Sequence, residues 1–390
     1  MSFILKLCSS LKTSYLPAFL TLVAAFVCNF GSHLSLDKIY GAHALIFAVS
    51  VGTLALYFID KNKKDLLFLA LILLIYLTTM RAKLIPLMDA KSGLVYDLIM
   101  ILCPIYFGYV FFLPSDKVSI TSVLWLLLPA ALSENVVLIQ TIQTNQIFLL
   151  ISMGLWLVIM LSLLFRISQW PSFQKSAMFF SCLLVGLGLV FYRNTYDFVI
   201  YFLAAVVVFA TGKIEQIIYN YYRDAPSGTL SPNSFVLNER KKFPPKYSIA
   251  FFYIDNYTKL LKIFKSKQTD IFVNMILKKL RTLENEADIY RLSPREFCLV
   301  FFDLDVKQTY ELMENIRRLI ASTEFVTLKK KAIKLTITPV VSEKRRSDTD
   351  AKAVLLRMHE NFRQKYRFTQ NMTFCEEMEI GKKNRRSASR

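Results

Sequence analysis

The chain has 390 residues, of which 54% are hydrophobic and 14% aromatic, and a formal net charge of +19. A mean hydropathy of +0.39 excludes an ordinary soluble protein, and the length leaves room for two or three domains. The six cysteines (Cys8, Cys28, Cys103, Cys182, Cys298, Cys375) have neither metal-ligand nor redox spacing; they read as small buried hydrophobes, not as a zinc module or disulfide framework.

Charge divides the chain near Thr211. Of 48 Lys and Arg, 13 precede position 212 and 35 follow it; of 29 Asp and Glu, 8 precede and 21 follow. A multi-pass α-helical membrane domain, residues 1–212, is therefore predicted to precede a basic soluble one. Apolar runs of about 17 to 25 residues can cross a hydrocarbon core of ~30 Å as helices. About eight spans are predicted: Tyr15–Phe30, Tyr40–Phe58, Leu66–Met80, Leu94–Phe112, Ile120–Leu132, Ile147–Phe165, Ser176–Phe191 and Tyr196–Thr211. No small-residue cleavage site follows the first, which reads as a retained helix.

Cytoplasmic loops collect Lys and Arg. Lys6 and Lys12, then Lys61, Lys63 and Lys64, then Arg166 and Lys175, and lastly Lys213 all fall on one side if both termini are cytoplasmic. The loop Ser133–Asn145 has no Lys or Arg, whereas the loop with Arg81, Lys83 and Lys91 breaks the pattern. Asp97, Glu134, Arg193 and Asp197 lie within or beside spans. Intramembrane charge is often functional, but near span ends snorkelling makes it cheap. Arg193 and Asp197, four apart, can pair on one helical face. His33 and His43 have no third ligand nearby and predict no metal site. No inverted repeat or broken pair of spans marks a transporter.

Lys213–Arg223 continues the last span as a linker helix, and breakers at Asp224–Gly228 make a turn. Ser234–Lys242 reads as a short helix and Tyr247–Ile254 as a strand ending at Asp255. Lys259–Leu283 has helical apolar spacing, with a break expected near Ser266. Ile289–Leu292 and Phe297–Phe302 make a hairpin about Ser293-Pro294-Arg295. Gln308–Ser322 is a helix, Ala332–Val341 one strand and Asp350–Arg367 a last helix; residues 376–390 form a basic tail. This alternation implies an α/β sandwich.

Five stretches carry a family resemblance over roughly Tyr222 to Cys375, within which residues 224–375 are the predicted domain. Arg223-Asp224, Ser227-Gly228 and Phe235 resemble an entry motif D-x-L-T-G-L-x-N-R-x-x-F. Phe251–Tyr257 resembles a first strand ending in D-x-D-x-F-K, and Asp270 falls on the Asp of a later G-D. Arg291–Phe297 resembles R-x-G-G-D-E-F, and Lys365 falls on the Lys of A-L-Y-x-A-K. Together they resemble the GGDEF family, the diguanylate cyclase domains of bacterial signalling proteins. The resemblance implies an α/β fold with a central, mostly antiparallel sheet flanked by helices, in a bacterial inner-membrane protein.

Those cyclases join two GTP into cyclic di-GMP, one GTP per protomer, on divalent metal held by carboxylates. The family's two metal carboxylates fall here on Tyr253 and Arg295. A phenol replaces one ligand, and a guanidinium that cannot deprotonate replaces the other. Ser293-Pro294 stands in place of Gly-Gly and lacks both its φ freedom and one amide donor. The guanine-reading Asn falls on Leu261, and the Arg expected after Lys365 is Thr369. Asp270 and Lys365 are nucleotide-binding remnants and Glu296 is a catalytic remnant, each otherwise reading as a surface charge; Asp255, which would join Asp270 and Glu296 in an unusual metal site, is a weak metal candidate. Glu284–Asp288 lacks the Arg of the family's R-x-x-D inhibitory site.

Lys329–Lys331, Lys344–Arg346 and Lys382–Arg386 are basic clusters suited to anionic lipid; without a recognition helix or stacking motif, no nucleic-acid partner is predicted. Three readings result. The first is a membrane signalling or scaffold protein with a non-catalytic GGDEF-like domain, needing no cofactor, partnered by lipids, by signalling or envelope proteins, and in an assembly open to homodimers. The second is an active or residual cyclase using Mg²⁺. The third is a sensory or transport-related membrane domain regulated by its cytoplasmic module.

Overall fold

The computed structural model describes residues 15–27, 36–84, 89–113, 118, 146–169, 172–190, 195–224, 227–281, 287–302, 304–326, 332–366 and 369–375. The chain divides into two compact units, Met1–Ile217 and Ile218–Arg390.

The first unit is helical: α1 (Tyr15–Val27), α2 (Leu36–Asp60), α3 (Lys63–Leu84), α4 (Asp89–Phe112), α5 (Gln146–Gln169), α6 (Phe173–Val190) and α7 (Thr195–Tyr222), the last running on into the second unit. Four stretches are long and apolar enough to cross a membrane: Gly41–Asp60, Ile151–Ser168, Phe173–Val190 and Phe198–Tyr222. They match the second, sixth, seventh and eighth predicted spans. Tyr15–Val27 and Ile99–Phe112 are shorter apolar helices, and Leu66–Met80 lies within α3. The fifth predicted span lies outside the described residues, as do Lys6, Lys12, Glu134, Arg193 and the tail.

In a membrane the outer face of a bundle meets lipid, so large apolar side chains belong on both sides of each helix. Phe19, Phe58, Leu157, Val158 and Phe165 are exposed, while Phe68, Phe107, Phe198, Phe202 and Phe209 are buried in the bundle core. Tyr76 stacks on Phe198 at 5.8 Å and contacts Phe202 at 5.4 Å. The α4 and α5 helices run parallel: Ser152 Oγ donates to Met100 O at 3.0 Å, Phe107 contacts Trp156, and Arg166 lies over Phe112.

The second unit is α/β. Its elements are α8 (Pro232–Lys241), β1 (Ser248–Ile254), α9 (Tyr257–Leu280), β2 (Ala287–Ser293), β3 (Glu296–Phe301), α10 (Val306–Ser322), β4 (Glu324–Val326), β5 (Ala332–Lys334), β6 (Ile337–Glu343), α11 (Ala351–Tyr366) and β7 (Phe374–Cys375). The main sheet has the order β2-β3-β1-β6-β7. Every pairing is antiparallel except β6 with β7. The mostly antiparallel sheet flanked by helices is the predicted class.

The middle strand β1 is buried along its whole length. Side chains alternate between faces of a strand, and both faces are covered here. Ala250, Phe252 and Ile254 pack with Phe272 and Ile276 of α9 and with Met313 and Ile316 of α10. Ile249, Phe251 and Tyr253 pack with Phe235 of α8 and with Val354, Met358 and Phe362 of α11. That is why the strand reads as a continuous apolar run.

Two expectations are corrected. The predicted strand Ala332–Val341 is two strands: β5 pairs with β4 in a separate two-stranded ribbon, while β6 joins the main sheet beside β1. The α9 helix runs unbroken from Tyr257 to Leu280, with no interruption at Ser266.

Candidate functional site

The β2–β3 hairpin presents Ser293–Glu296 beside the end of β1. Its register is irregular between Arg291 and Ser293, and Tyr253 pairs directly with Glu296. The main-chain amide of Ile254 donates to Arg295 O at 3.1 Å. The pairing brings Tyr253, Arg295 and Glu296 together. The Arg295 guanidinium carbon lies 5.3 Å from the centre of the Tyr253 ring, a cation–π contact. Arg295 Nε also lies 3.8 Å from Glu296 Oε1.

The Tyr253 ring stacks on Phe362 of α11 at 4.5 Å and 14°, and its hydroxyl lies 3.1 Å from His359 Nδ1. Burial, and then the Glu296 carboxylate beside it, push the phenol's pKa up, so Tyr253 is a neutral hydroxyl at physiological pH. Burial also lowers the pKa of His359. Tyr253 is thus a packed aromatic and Arg295 a cation resting on its ring.

Asp270 is held by a different cation, Arg291. It accepts from Arg291 Nη2 at 3.3 Å, while Arg291 Nη1 reaches Asp224 Oδ2 at 2.8 Å and Nη2 donates to Pro294 O at 2.9 Å. Arg291 is only 5% exposed. Asp224 also accepts from the amide and hydroxyl of Ser227. One guanidinium therefore ties the entry turn, α9 and the hairpin together.

Asp255 is 2% exposed. Its carboxylate accepts from Thr336 Oγ1 at 2.7 Å, Thr338 Oγ1 at 2.8 Å and the Asn371 amide at 3.2 Å. These donors occupy most of its lone-pair directions, and they pin the segment leading into β7. Leu261 is an apolar side chain partly at the surface of α9. Lys365 is in the last turn of α11, and its side chain lies outside the described residues. Sequence reasoning missed His359. It touches both Tyr253 and Phe251, but 106 residues separate it from Tyr253 and no local motif marks it.

No family model matches the chain, and no curated protein matches it. Solved structures do. The GGDEF domain of DgcB from Caulobacter crescentus, in complex with c-di-GMP, matches at 13% identity with a TM-score of 0.35, over 40% of this chain and 92% of that one. The FimX GGDEF domain from Pseudomonas aeruginosa matches at 14% and 0.36, over 39% and 98%. The active GGEEF domain of a diguanylate cyclase from Vibrio cholerae matches at 19% and 0.31, over 36% and 88%. At these identities the likeness is one of fold alone and says nothing of activity in this chain.

Proposed function

We propose that this is a multi-pass signalling or scaffold protein of a bacterial inner membrane, and that its GGDEF-like unit acts through protein contacts, not catalysis, in or near cyclic di-GMP signalling. One observation carries the reading: the Arg295 guanidinium lies on the Tyr253 ring where a cyclase needs two carboxylates. A fixed cation repels Mg²⁺, a packed neutral phenol is a poor ligand for it, and activation of the attacking hydroxyl by two metals loses its oxygen donors. The remnants are also engaged, Glu296 near Arg295, Asp270 on Arg291 and Asp255 on two threonines. Full-length protein with GTP and Mg²⁺ should form no cyclic di-GMP by mass spectrometry and give no binding heat at millimolar GTP. Product that Glu296→Ala abolishes would establish the alternative, a residual cyclase.

Packing supports the predicted topology. Lys64 over Phe111, Arg166 over Phe112, and Lys213 on Asp60 and Asp65 gather three basic segments at one end of the bundle, the end expected in the cytoplasm. The parallel course of α4 and α5 agrees with the predicted count of eight spans, which has Ile120–Leu132 between them. Thiol labelling of Ser133→Cys from the periplasmic side checks this. A homodimer is supported by Ile214, Ile218 and Tyr221, which lie exposed at i, i+4 and i+7 along α7; Ile218→Glu should weaken self-association.

A further inference from the structure

We propose that α4 is hinged at Pro104 and that the Ser152 hydroxyl of α5 is the latch that holds its two halves in line. The proposal rests on the membrane reading of the first unit and is independent of whether the second unit catalyses anything.

Pro104 lies inside α4. Its ring nitrogen has no hydrogen to give Met100 O, one turn back, and the ring itself crowds that carbonyl. In hydrocarbon no water can serve the carbonyl instead. Ser152 serves it from the neighbouring helix: its hydroxyl donates to Met100 O at 3.0 Å. Both residues are buried. The hydroxyl thus takes the place of the missing main-chain donor.

The two halves of α4 are held differently. After Pro104, Phe107 packs on Phe68 of α3 at 5.3 Å and on Trp156 of α5, Lys64 Nζ donates to Phe111 O at 2.5 Å, and Arg166 lies over the Phe112 ring. Before it, from Ile99 to Cys103, the Ser152 bond is the one side-chain hydrogen bond from another helix among the described residues. The other contacts there are apolar, and such contacts have no preferred direction. A helix bends most easily where a main-chain bond is missing. The half before Pro104 is therefore the arm that moves, and its movement must break the Ser152 bond.

The groove between α3 and α4 changes with that movement. Its α4 wall, Ile99, Leu102, Cys103 and Tyr106, straddles Pro104, while Leu74 and Ile75 line the α3 side. A tilt about Pro104 widens the groove at Ile99 and leaves it in place at Tyr106. Cys103 adjoins the hinge and is 2% exposed, so its thiol is shielded while the latch is shut and reports its opening. Cys182 on α6 is also buried, but it does not line the groove.

The test treats the full chain, in neutral detergent, with N-ethylmaleimide and follows alkylation of each cysteine by peptide mass spectrometry. Ser152→Ala should speed modification of Cys103 at least fivefold and change that of Cys182 less than twofold. In a Pro104→Ala background the restored main-chain amide serves Met100 O, so adding Ser152→Ala should change the Cys103 rate less than twofold. An unchanged rate in Ser152→Ala overturns the latch. An equal rise at Cys182 means general loosening and overturns the hinge. A Ser152→Ala effect that persists in the Pro104→Ala background overturns the link to the missing amide. If Ser152→Ala does not fold, hydrogen exchange of the natural protein decides: amides of 99–103 should exchange at least tenfold faster than those of 105–112, and equal protection overturns the hinge.

Discussion

Arg295 is in the turn between β2 and β3 and Tyr253 is in β1, yet the guanidinium of one lies 5.3 Å over the ring of the other. The contact needs both side chains, since a carboxylate at either position would break it. The ring is also part of the core, 8% exposed and stacked on Phe362. Tyr253→Asp should therefore be costly to the fold. Losing a buried aromatic costs roughly 3–5 kcal/mol, and an unpaired carboxylate adds to that. Tyr253→Phe keeps the ring and loses the hydroxyl's bond to His359, a bond worth about 1 kcal/mol. Thermal melts of the full-length protein in detergent should rank the natural protein just above Tyr253→Phe and far above Tyr253→Asp.

Arg291 joins three segments distant in sequence: Asp224 of the entry turn, Asp270 of α9 and Pro294 O of the hairpin. Arg291→Met would strand two carboxylates. Both retain some contact with solvent, so the expected cost is roughly 2–4 kcal/mol, near the lower end for a broken buried pair. Because the entry turn loses its anchor, limited proteolysis near Ser227 should accelerate before the rest of the unit is attacked. Arg291→Lys should restore only part of the protection, because an ammonium lacks the planar fork that reaches three acceptors at once.

The fold of the second unit was legible where pattern and turn chemistry agreed. The apolar run of β1 and the Ser293-Pro294 break gave the central strand and the hairpin. What stayed hidden was short or ambiguous. The β4 and β7 strands have three and two residues, too few to show alternation. Val, Ile and Thr around Leu335-Thr336 read as one strand because β-branched residues favour either side of the break. The sequence resemblance singled out Tyr253 and Arg295, but the contact between them was not visible, since it depends on strand pairing. Lys213 read as a residue flanking a span; only tertiary packing shows it buried.

The last strand is held by a carboxylate with an acid limit. Glu314 of α10 accepts from Arg317, Arg318 and Thr373 Oγ1, the last at 2.7 Å, and Arg317 Nη1 reaches Asn371 O at 3.0 Å. The Arg317 hydrogen bonds, then those from Thr373 and Arg318, hold the Glu314 carboxyl down to about 2 against an ordinary 4.5. A depressed folded pKa means the stabilisation is fully present above pH 4.5 and is lost as pH falls through about 2. After discounting for solvent screening it is worth ~2 kcal/mol. Glu314→Gln should lower the melting temperature at pH 7, and its gap from the natural protein should close between pH 4.5 and 2.

Lys213, 1% exposed, pairs with Asp60 at 2.5 Å and with Asp65. Beside it, a Cβ on Gly212 would overlap Ala177 and lie 3.2 Å from Phe173 O. One turn of α7 is thus fixed to α2 and α3 by charge and to α6 by close backbone approach. Removing the cation alone leaves two carboxylates in the bundle, a loss of roughly 3–5 kcal/mol. Removing the whole triad leaves no charge to strand and is often close to neutral. Lys213→Met should therefore lower the melting temperature of the detergent-solubilised protein sharply, and Lys213→Met/Asp60→Asn/Asp65→Leu should recover most of the loss. Equal melting of Lys213→Met and the natural protein would mean that the glycine contact alone holds the helix. In that case Gly212→Leu should be the damaging change, and Ala177→Gly should partly rescue it.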